Sequence, residues 1–430
     1  MHSGHIAVVS IPGLTLRLTG AEAPPVLSLL LFGIAVIGAA FLLAWTGEAA
    51  ERDISGGLMV GLLAVVAILP EYAVDLYFAF SAGSNPAMAE FAAANMTGAN
   101  RLLLGVAWPL MVLVAWSCYR SFRRRGLPAD PDIQGKPFAV ILRRDNRIEV
   151  GFLIVATAVG LMIPLTGQIN IFTGLLLLGL FGYYLYRVSK GDREEPELVG
   201  VSESLGALAK TPRRVTLSVL FVFSAVSILL LAEPFSQSLI AVGRQLGIED
   251  FLLVQWLAPL ASEAPEFVIA ILFASRGKAG MALGLLVASK VNQWTALVGS
   301  LPVAYVIGGG SWGLPLGARQ VEELTLTAAQ TILGIAILLC MKFSARWAIV
   351  LFIMFTSTFI FVSTEARYAV SAIYLILALI LLVLHRRAIL PSLKLAFTGK
   401  DSPDGYPVQS HDGRTRQQRL GADKADRAGG

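Results

Sequence analysis

The chain has 430 residues, 56% of them apolar and only 15% charged, against about 25% charged in soluble domains. Its net charge of +5 comes from basic residues in loops between apolar runs, so it does not signal nucleic-acid binding. Two cysteines, Cys118 and Cys340, and four histidines, all terminal or at or beyond the end of the last apolar run, exclude a disulfide framework, a thiolate metal motif and an intramembrane histidine relay.

In chain order, apolar stretches fall at 26–47, 56–82, 87–117, 148–167, 169–188, 215–242, 250–275, 279–308, 324–342, 345–363 and 367–385. About eleven spans are thus predicted, each able to cross about 30 Å of hydrocarbon. The first twenty residues lack a basic region followed by a long apolar core and do not read as a cleaved signal peptide. With the N-terminus outside, basic residues collect on the inner side after spans three, five, seven, nine and eleven, while the outer loops hold only Arg244, Arg319 and Arg367. The positive-inside rule then predicts an integral protein of a bacterial-type inner or plasma membrane, N-terminus outside and C-terminus cytoplasmic. The loop after span one is an exception, with Glu48, Glu51 and Asp53 against Arg52.

The polar stretch GDREEPELVGVSESLGALAKTPRR divides spans 1–5 from spans 6–10. Five is odd, so the second half enters the membrane inverted. Two-span hairpins beginning at Arg147 and Val321 show weak internal similarity. The predicted fold is an all-α polytopic membrane protein of two inverted five-helix repeats plus one extra C-terminal transmembrane helix. Its parts are an N-terminal extracytoplasmic segment (1–25), the first repeat (26–190), a cytoplasmic loop (191–214), the second repeat (215–364), the extra helix (365–387) and a disordered cytoplasmic tail (388–430), polar and Gly-rich from residue 396 on.

Ionisable residues inside membrane spans are rare and point to ion paths. Here they gather beside prolines at matching places in the two halves, as in inverted-repeat transporters. Pro70 and Glu71 are expected to break span two, with Asp75 one helical turn on and facing the same way. Span three opens with Asn95, Thr97 and Asn100 near an expected bend at Gly98. In the second half, Ser262, Glu263, Pro265 and Glu266 form the equivalent break, followed by Ser289, Lys290, Asn292 and Gln293 in span eight. Carboxylate and carboxamide oxygens are hard ligands suited to Na⁺ or Ca²⁺. Lys290 lies well inside a span, and the nearby glutamates are its expected partners. Any one of these polar residues alone could merely kink or glue helices; their clustering favours a site. Glu90 reads as a solvated helix start. Arg101 is expected to pair with Asp75 or Glu90 or to face a water-filled vestibule.

The paired motifs resemble the cation/Ca²⁺ exchanger superfamily, whose prototype is the Na⁺/Ca²⁺ exchanger. Each repeat of that family carries G-T-S-L-P-E followed by G-N-x-x-G-S-N. The first motif here reads Val66-Ala67-Ile68-Leu69-Pro70-Glu71, then Ala94-Asn95-Met96-Thr97-Gly98-Ala99-Asn100; the second reads Ala261-Ser262-Glu263-Ala264-Pro265-Glu266, then Val287-Ala288-Ser289-Lys290-Val291-Asn292-Gln293. That alignment places Asn100 opposite Gln293 and Pro109 opposite Pro302. The resemblance implies that Glu71 and Glu266 are the central cation-binding carboxylates, with Asn95 and Asn100 beside them; Glu263, Ser262 and Gln293 complete the candidate metal ligands, with Lys290 and Asp75 as charge-coupling residues. The sequence departs from the family where apolar residues replace the Thr and Ser of the first motif, where Glu263 replaces the Ser of the second, and at Lys290.

The expected function is a secondary-active cation antiporter of the Na⁺/Ca²⁺ exchanger type, not an enzyme, working by alternating access at a mid-membrane carboxylate site. The alternative is a proton-coupled Na⁺/H⁺ or Ca²⁺/H⁺ exchanger. Two rivals are a non-transporting paralogue and a membrane enzyme that uses Arg101 on lipid-linked phosphate. No cofactor is expected beyond the transported Na⁺, Ca²⁺ or H⁺, and the partners are inorganic cations and the bilayer, with no nucleic acid.

Overall fold

Most of the apolar runs become helices of membrane-spanning length. The computed structural model describes residues 2–21, 23–50, 52–53, 56–126, 130–190, 198, 200–247 and 249–399, with the backbone alone at 2–9 and 56–68. Helix α1 (His2–Thr19) lies against the first span, α2 (Pro25–Ala50), where Ser10 Oγ donates to the Ala35 carbonyl at 3.1 Å. The second span is α3 (Gly56–Ala82). The third joins α4 (Ala89–Leu102) to α5 (Trp108–Arg124) through a π-helical turn, Leu103–Ala107. Spans four and five are α6 (Arg147–Gly160), extended by the short α7 (Met162–Thr166), and α8 (Ile171–Val188).

After the short α9 (Val201–Gly206) come α10 (Lys210–Leu246) and α11 (Asp250–Ser275). Span eight joins α12 (Ala279–Asn292) to α13 (Val298–Ile307), again through a π turn, Gln293–Leu297. Helices α14 (Ala318–Leu338), α15 (Ala345–Ile360), α16 (Thr364–Leu384) and α17 (Arg386–Thr398) complete the chain. Among the described residues, eight helices are long and apolar enough to cross a membrane, and the 16-residue α15 is a shorter apolar one. Spans two and eight are not among the eight; in span eight Lys290, Asn292 and Gln293 interrupt the apolar run.

Two inverted five-helix repeats and one extra C-terminal span make up this all-α membrane fold, and short strands at the helix ends display the inversion. Strand β2 (Phe138–Ile141), before span four, pairs antiparallel with β5 (Lys342–Ser344), between spans nine and ten, and β1 (Ile133–Gly135) extends that sheet. Strand β3 (Gln168–Asn170), between spans four and five, pairs with β4 (Gly313–Pro315), before span nine. Exchanging the two halves converts one pair into the other. The repeats also match within span three and span eight: α4 and α12 both have 14 residues, and each runs into a five-residue π turn.

That match corrects the expected register. Counting from the π turns puts Lys290, not Gln293, opposite Asn100. The proline pair misled the alignment, since Pro109 lies in the first turn of α5 while Pro302 lies inside α13. The expected breaks also differ. Helices α3 and α11 continue through Pro70 and Pro265, as membrane helices do where neighbours and local adjustments satisfy the freed backbone groups. Gly98 is no bend but a point of close approach, because a Cβ there would fall 1.7 Å from the Gln255 carbonyl oxygen of α11. The real irregularity of span three is its π turn, of the kind frequently found at functional sites.

The tail is a further correction. Residues 388–398, expected to be disordered, belong to α17. This helix buries Ala388, Pro391, Ser392 and Ala396, and a Cβ at Gly151 of α6 would come within 2.5 Å of the Ser392 carbonyl oxygen. Arg187 donates to the Ala396 and Leu395 carbonyls at 2.8 and 3.1 Å, holding the helix C-terminus. The remainder, 400–430, lies outside the described residues.

The acidic loop after span one has a reason. Asp53 accepts from Arg213 at 2.6 Å and from Arg214 at 3.3 Å, while Ser202 of α9 donates to Glu48 at 2.6 Å. The hydrogen bond from Arg213, more than any other contact, holds the Asp53 carboxyl down at about 2. This contact is therefore complete above the ordinary carboxyl value and is lost only as pH falls toward about 2. Both loops thus lie on one side of the membrane. With Cys118 and Cys340 replaced by serine, Ser204→Cys should react with a membrane-impermeant maleimide only from the cytoplasmic side. Labelling of intact cells from outside would reverse the orientation.

Candidate functional site

Helices α3 and α4 of the first repeat meet α11 and α12 of the second at the small residues around Gly98, and the ionisable side chains gather there. Glu71 and Asp75 project from α3, Asn95 and Asn100 from α4, Glu263 and Glu266 from α11, and Lys290 from α12. Asp75, Asn95, Asn100 and Lys290 are 0% exposed. Glu71, Ser262, Glu263 and Gln293 are also buried, and Glu266 is partly exposed.

The two π turns fix who meets whom. Lys290 Nζ donates to both the backbone carbonyl and the side-chain Oδ1 of Asn100, each at 2.8 Å. Asn100 Nδ2 donates to the Met96 carbonyl at 2.9 Å, which turns its Oδ1 toward the ammonium. Residues equivalent in the two repeats therefore touch across the pseudo-twofold axis. The expected Lys290–glutamate ion pair is absent among the described residues. Gln293, one turn from Lys290, donates instead to Glu263 Oε1 through a short hydrogen bond. Glu263 and Glu71 still act on Lys290 through space.

Each repeat contributes its carboxylate differently. Glu266 Oε2 accepts from Ser289 Oγ at 2.5 Å. Glu71 Oε1, both oxygens of Asp75, Glu263 Oε2, the Gln293 oxygen and both polar atoms of Asn95 are buried without a hydrogen-bond partner among the described residues. Asp75 lies beside Asn95, and Glu71 is within electrostatic reach of Asp75, Glu266 and Lys290. Buried oxygens left unpaired are costly, and a cation held by oxygen ligands would satisfy them. Among the described residues no three His, Cys, Asp or Glu side chains form a ready-made metal cluster; the candidate oxygens come from carboxylates of opposite repeats and from carboxamides. Ser262 Oγ returns to its own helix, donating to the Ala258 and Pro259 carbonyls at 3.2 and 3.3 Å, so it holds backbone rather than facing the other site residues.

Sequence reasoning missed several residues. Ser289 supports Glu266 directly, and Tyr72 OH donates to Asn292 Oδ1 at 3.3 Å, tying α3 to α12. The sequence placed Ser289 in the polar cluster of span eight without a role, and its position next to Lys290 was the available signal. Gln255 brings a second buried, unpaired carboxamide to the contact of α11 with Gly98. Arg101 does not pair with Asp75 or Glu90. It donates to Glu323 of α14 through a short ion pair and to Thr358 Oγ1 at 2.5 Å, with its guanidinium 5.0 Å from the Trp256 ring. Arg367 of α16 binds the same Glu323 and, at 3.2 Å, Glu322. Arg101 is thus committed inside the protein rather than offered to a phosphate.

This arrangement of inverted repeats meeting at paired carboxylates defines a cation antiporter. The chain matches the sodium/calcium exchanger protein family over residues 24–190 and again over 216–386, and it belongs to that family. It is similar to a solved H⁺/Ca²⁺ exchanger, CAX, with 39% identity over 93% of this chain and 98% of the other, and a TM-score of 0.84. A Ca²⁺/H⁺ antiporter protein, YfkE, shares the fold at 15% identity, covering 86% of this chain and 99% of its own, with a TM-score of 0.57. The sodium-calcium exchanger NCX_Mj is similar at 16% identity over 77% and 97%, with a TM-score of 0.50. Compared with curated proteins, the chain shows no significant match.

Proposed function

We propose that this protein exchanges Ca²⁺ for H⁺, with the same carboxylates binding the divalent cation and protons in turn. The observation that carries this reading is Lys290 Nζ, buried among Glu71, Glu263 and Asn100 with two 2.8 Å hydrogen bonds to Asn100. Whenever Lys290 carries its proton, its charge inside the site reduces the number of further cations the site can hold together, because like charges repel strongly at low effective dielectric. A multi-ion Na⁺ site is thereby disfavoured. One Ca²⁺ on Glu71 and Glu266, replaced by protons on the same oxygens, keeps the charge of the site nearly constant. Similarity to the H⁺/Ca²⁺ exchanger supports the same choice.

The transport cycle follows from the two-sided construction. Glu71 and Glu266 come from opposite repeats, so rocking one repeat against the other opens their shared site to either face. Gln293 and Ser289 hold Glu263 and Glu266 in place. The orientation and the division at residues 191–214 belong to the same proposal.

Lys290→Ala should displace the pH profile of Ca²⁺ flux while leaving the yield of folded protein near wild type. The double change Glu263→Ser with Lys290→Asn, which moves the site toward the common family pattern, should introduce Na⁺ dependence. The measurement is Ca²⁺ flux against pH, with and without Na⁺, in proteoliposomes. Superimposable profiles for wild type and both variants would make Lys290 a structural partner and remove the main support for proton coupling.

A further inference from the structure

A groove of about 560 Å³ lies between α5 and α15, outside the exchange site. Its lining is apolar and includes Val106, Pro109, Leu113, Trp116, Ile349 and Phe352. Leu113, Trp116, Ile349 and Phe352 are exposed, and they lie within membrane-spanning helices, so lipid is their solvent. Three further observations distinguish this groove from an ordinary lipid-facing surface.

The first is length. Val106 to Trp116 spans ten residue steps, which at 1.5 Å each is about 15 Å, half of the about 30 Å hydrocarbon core. The groove therefore fits the depth of one leaflet. The second is charge. Arg120, one turn beyond Trp116, stacks on that indole with its guanidinium 4.7 Å from the ring. On the antiparallel neighbour, Arg346 stands one turn before Ile349 at the same end and is exposed. Neither arginine pairs with a carboxylate among the described residues, and Arg123 and Arg124 continue the basic end of α5. The third is what lies at the other end. Val106 belongs to the π turn of span three. Phe355, one turn after Phe352, packs against Gly105 so tightly that a Cβ there would fall 2.3 Å from its ring.

We propose that this groove is a binding site for one anionic phospholipid from the leaflet on the basic side. An acyl chain lies along α5 and α15, and the headgroup phosphate and its additional negative charge rest on Arg120 and Arg346. Basic residues at a membrane surface attract anionic lipids with appreciable energy per charge, and the planar guanidinium suits phosphate. The chain terminus would touch the π turn that leads to Asn100, so the lipid would steady span three beside the exchange site.

Trp116 supplies the test. Full-length protein is placed in phosphatidylcholine vesicles with an equal fraction of either brominated phosphatidylglycerol or brominated phosphatidylcholine. Fluorescence of the Trp116→Phe variant is subtracted to isolate Trp116. Brominated phosphatidylglycerol should quench Trp116 at a lower fraction than brominated phosphatidylcholine. Arg120→Gln and Arg346→Gln should each lower that preference about fivefold, with unchanged thermal unfolding as the folding control. Equal quenching by the two lipids would reduce the groove to ordinary boundary lipid and overturn the proposal. A preference that survives both substitutions would also overturn it, as would cross-linking from Ile349→Cys that places a second copy of the chain over the groove.

Discussion

Glu71→Gln and Glu266→Gln should each lower Ca²⁺ flux at least about a hundredfold while the protein still folds. Glutamine keeps the volume of glutamate and part of its hydrogen bonding, and Ser289 can still donate to a side-chain oxygen at position 266. What is lost is the charge that one of the two carboxylates, contributed by opposite repeats, would offer a bound cation. A cation drawn out of water needs that charge, and removing one partner of a buried charge pair costs about 3–5 kcal/mol, which at about 1.4 kcal/mol per tenfold exceeds two orders of magnitude. The measurement is initial flux in proteoliposomes at matched protein content, with thermal unfolding in detergent as the control. Flux near wild type in either variant would remove that residue from the cation site.

Glu323→Ala should have the largest effect on stability. Glu323 binds both Arg101 and Arg367, and all three side chains are buried. Deleting it leaves the Arg101 guanidinium without a carboxylate and Arg367 with Glu322 alone, and uncompensated buried charge costs about 3–5 kcal/mol. A marked fall in Tm is expected, together with loss of the tie between α4 and α16 through α14. Arg101→Met combined with Glu323→Leu should recover much of that loss, since replacing a buried ion pair by apolar groups of similar size is often neutral. Recovery will be incomplete because Arg367 keeps only Glu322. An unchanged Tm in Glu323→Ala would show that this network carries no stability.

The sequence made the spans legible because a membrane helix is a local property: most apolar runs are long enough by themselves, and charges mark their ends. The paired carboxylates were legible for the same reason, since Glu71 and Glu266 stand in apolar surroundings beside prolines. Partners across the chain were not. Arg101 and Glu323 are 222 residues apart, and Glu322 and Glu323 fall just before the predicted apolar run at 324–342, where no local pattern names their partners. The helix begins earlier, at Ala318, and carries them into the protein.

Lys290 shows a subtler limit. Opposite charge made the glutamates its expected partners, but Gln293 takes Glu263 and leaves the ammonium to the carbonyl and carboxamide of Asn100. That choice depends on how the π turns rotate the helix faces, and insertion of a π turn leaves no mark in apolar periodicity. The helix α17 was hidden differently: its stability comes from docking on Gly151 and from capping by Arg187, both far away in the chain.

The most direct test of the exchange mechanism is to record Ca²⁺ entry and luminal pH together in sealed proteoliposomes of the purified protein, without Na⁺. An imposed acid-inside gradient should drive Ca²⁺ inward with simultaneous loss of luminal protons, added Na⁺ should change neither, and Glu71→Gln should abolish both. Ca²⁺ entry that requires a Na⁺ gradient and moves no protons would contradict proton exchange at the carboxylate site.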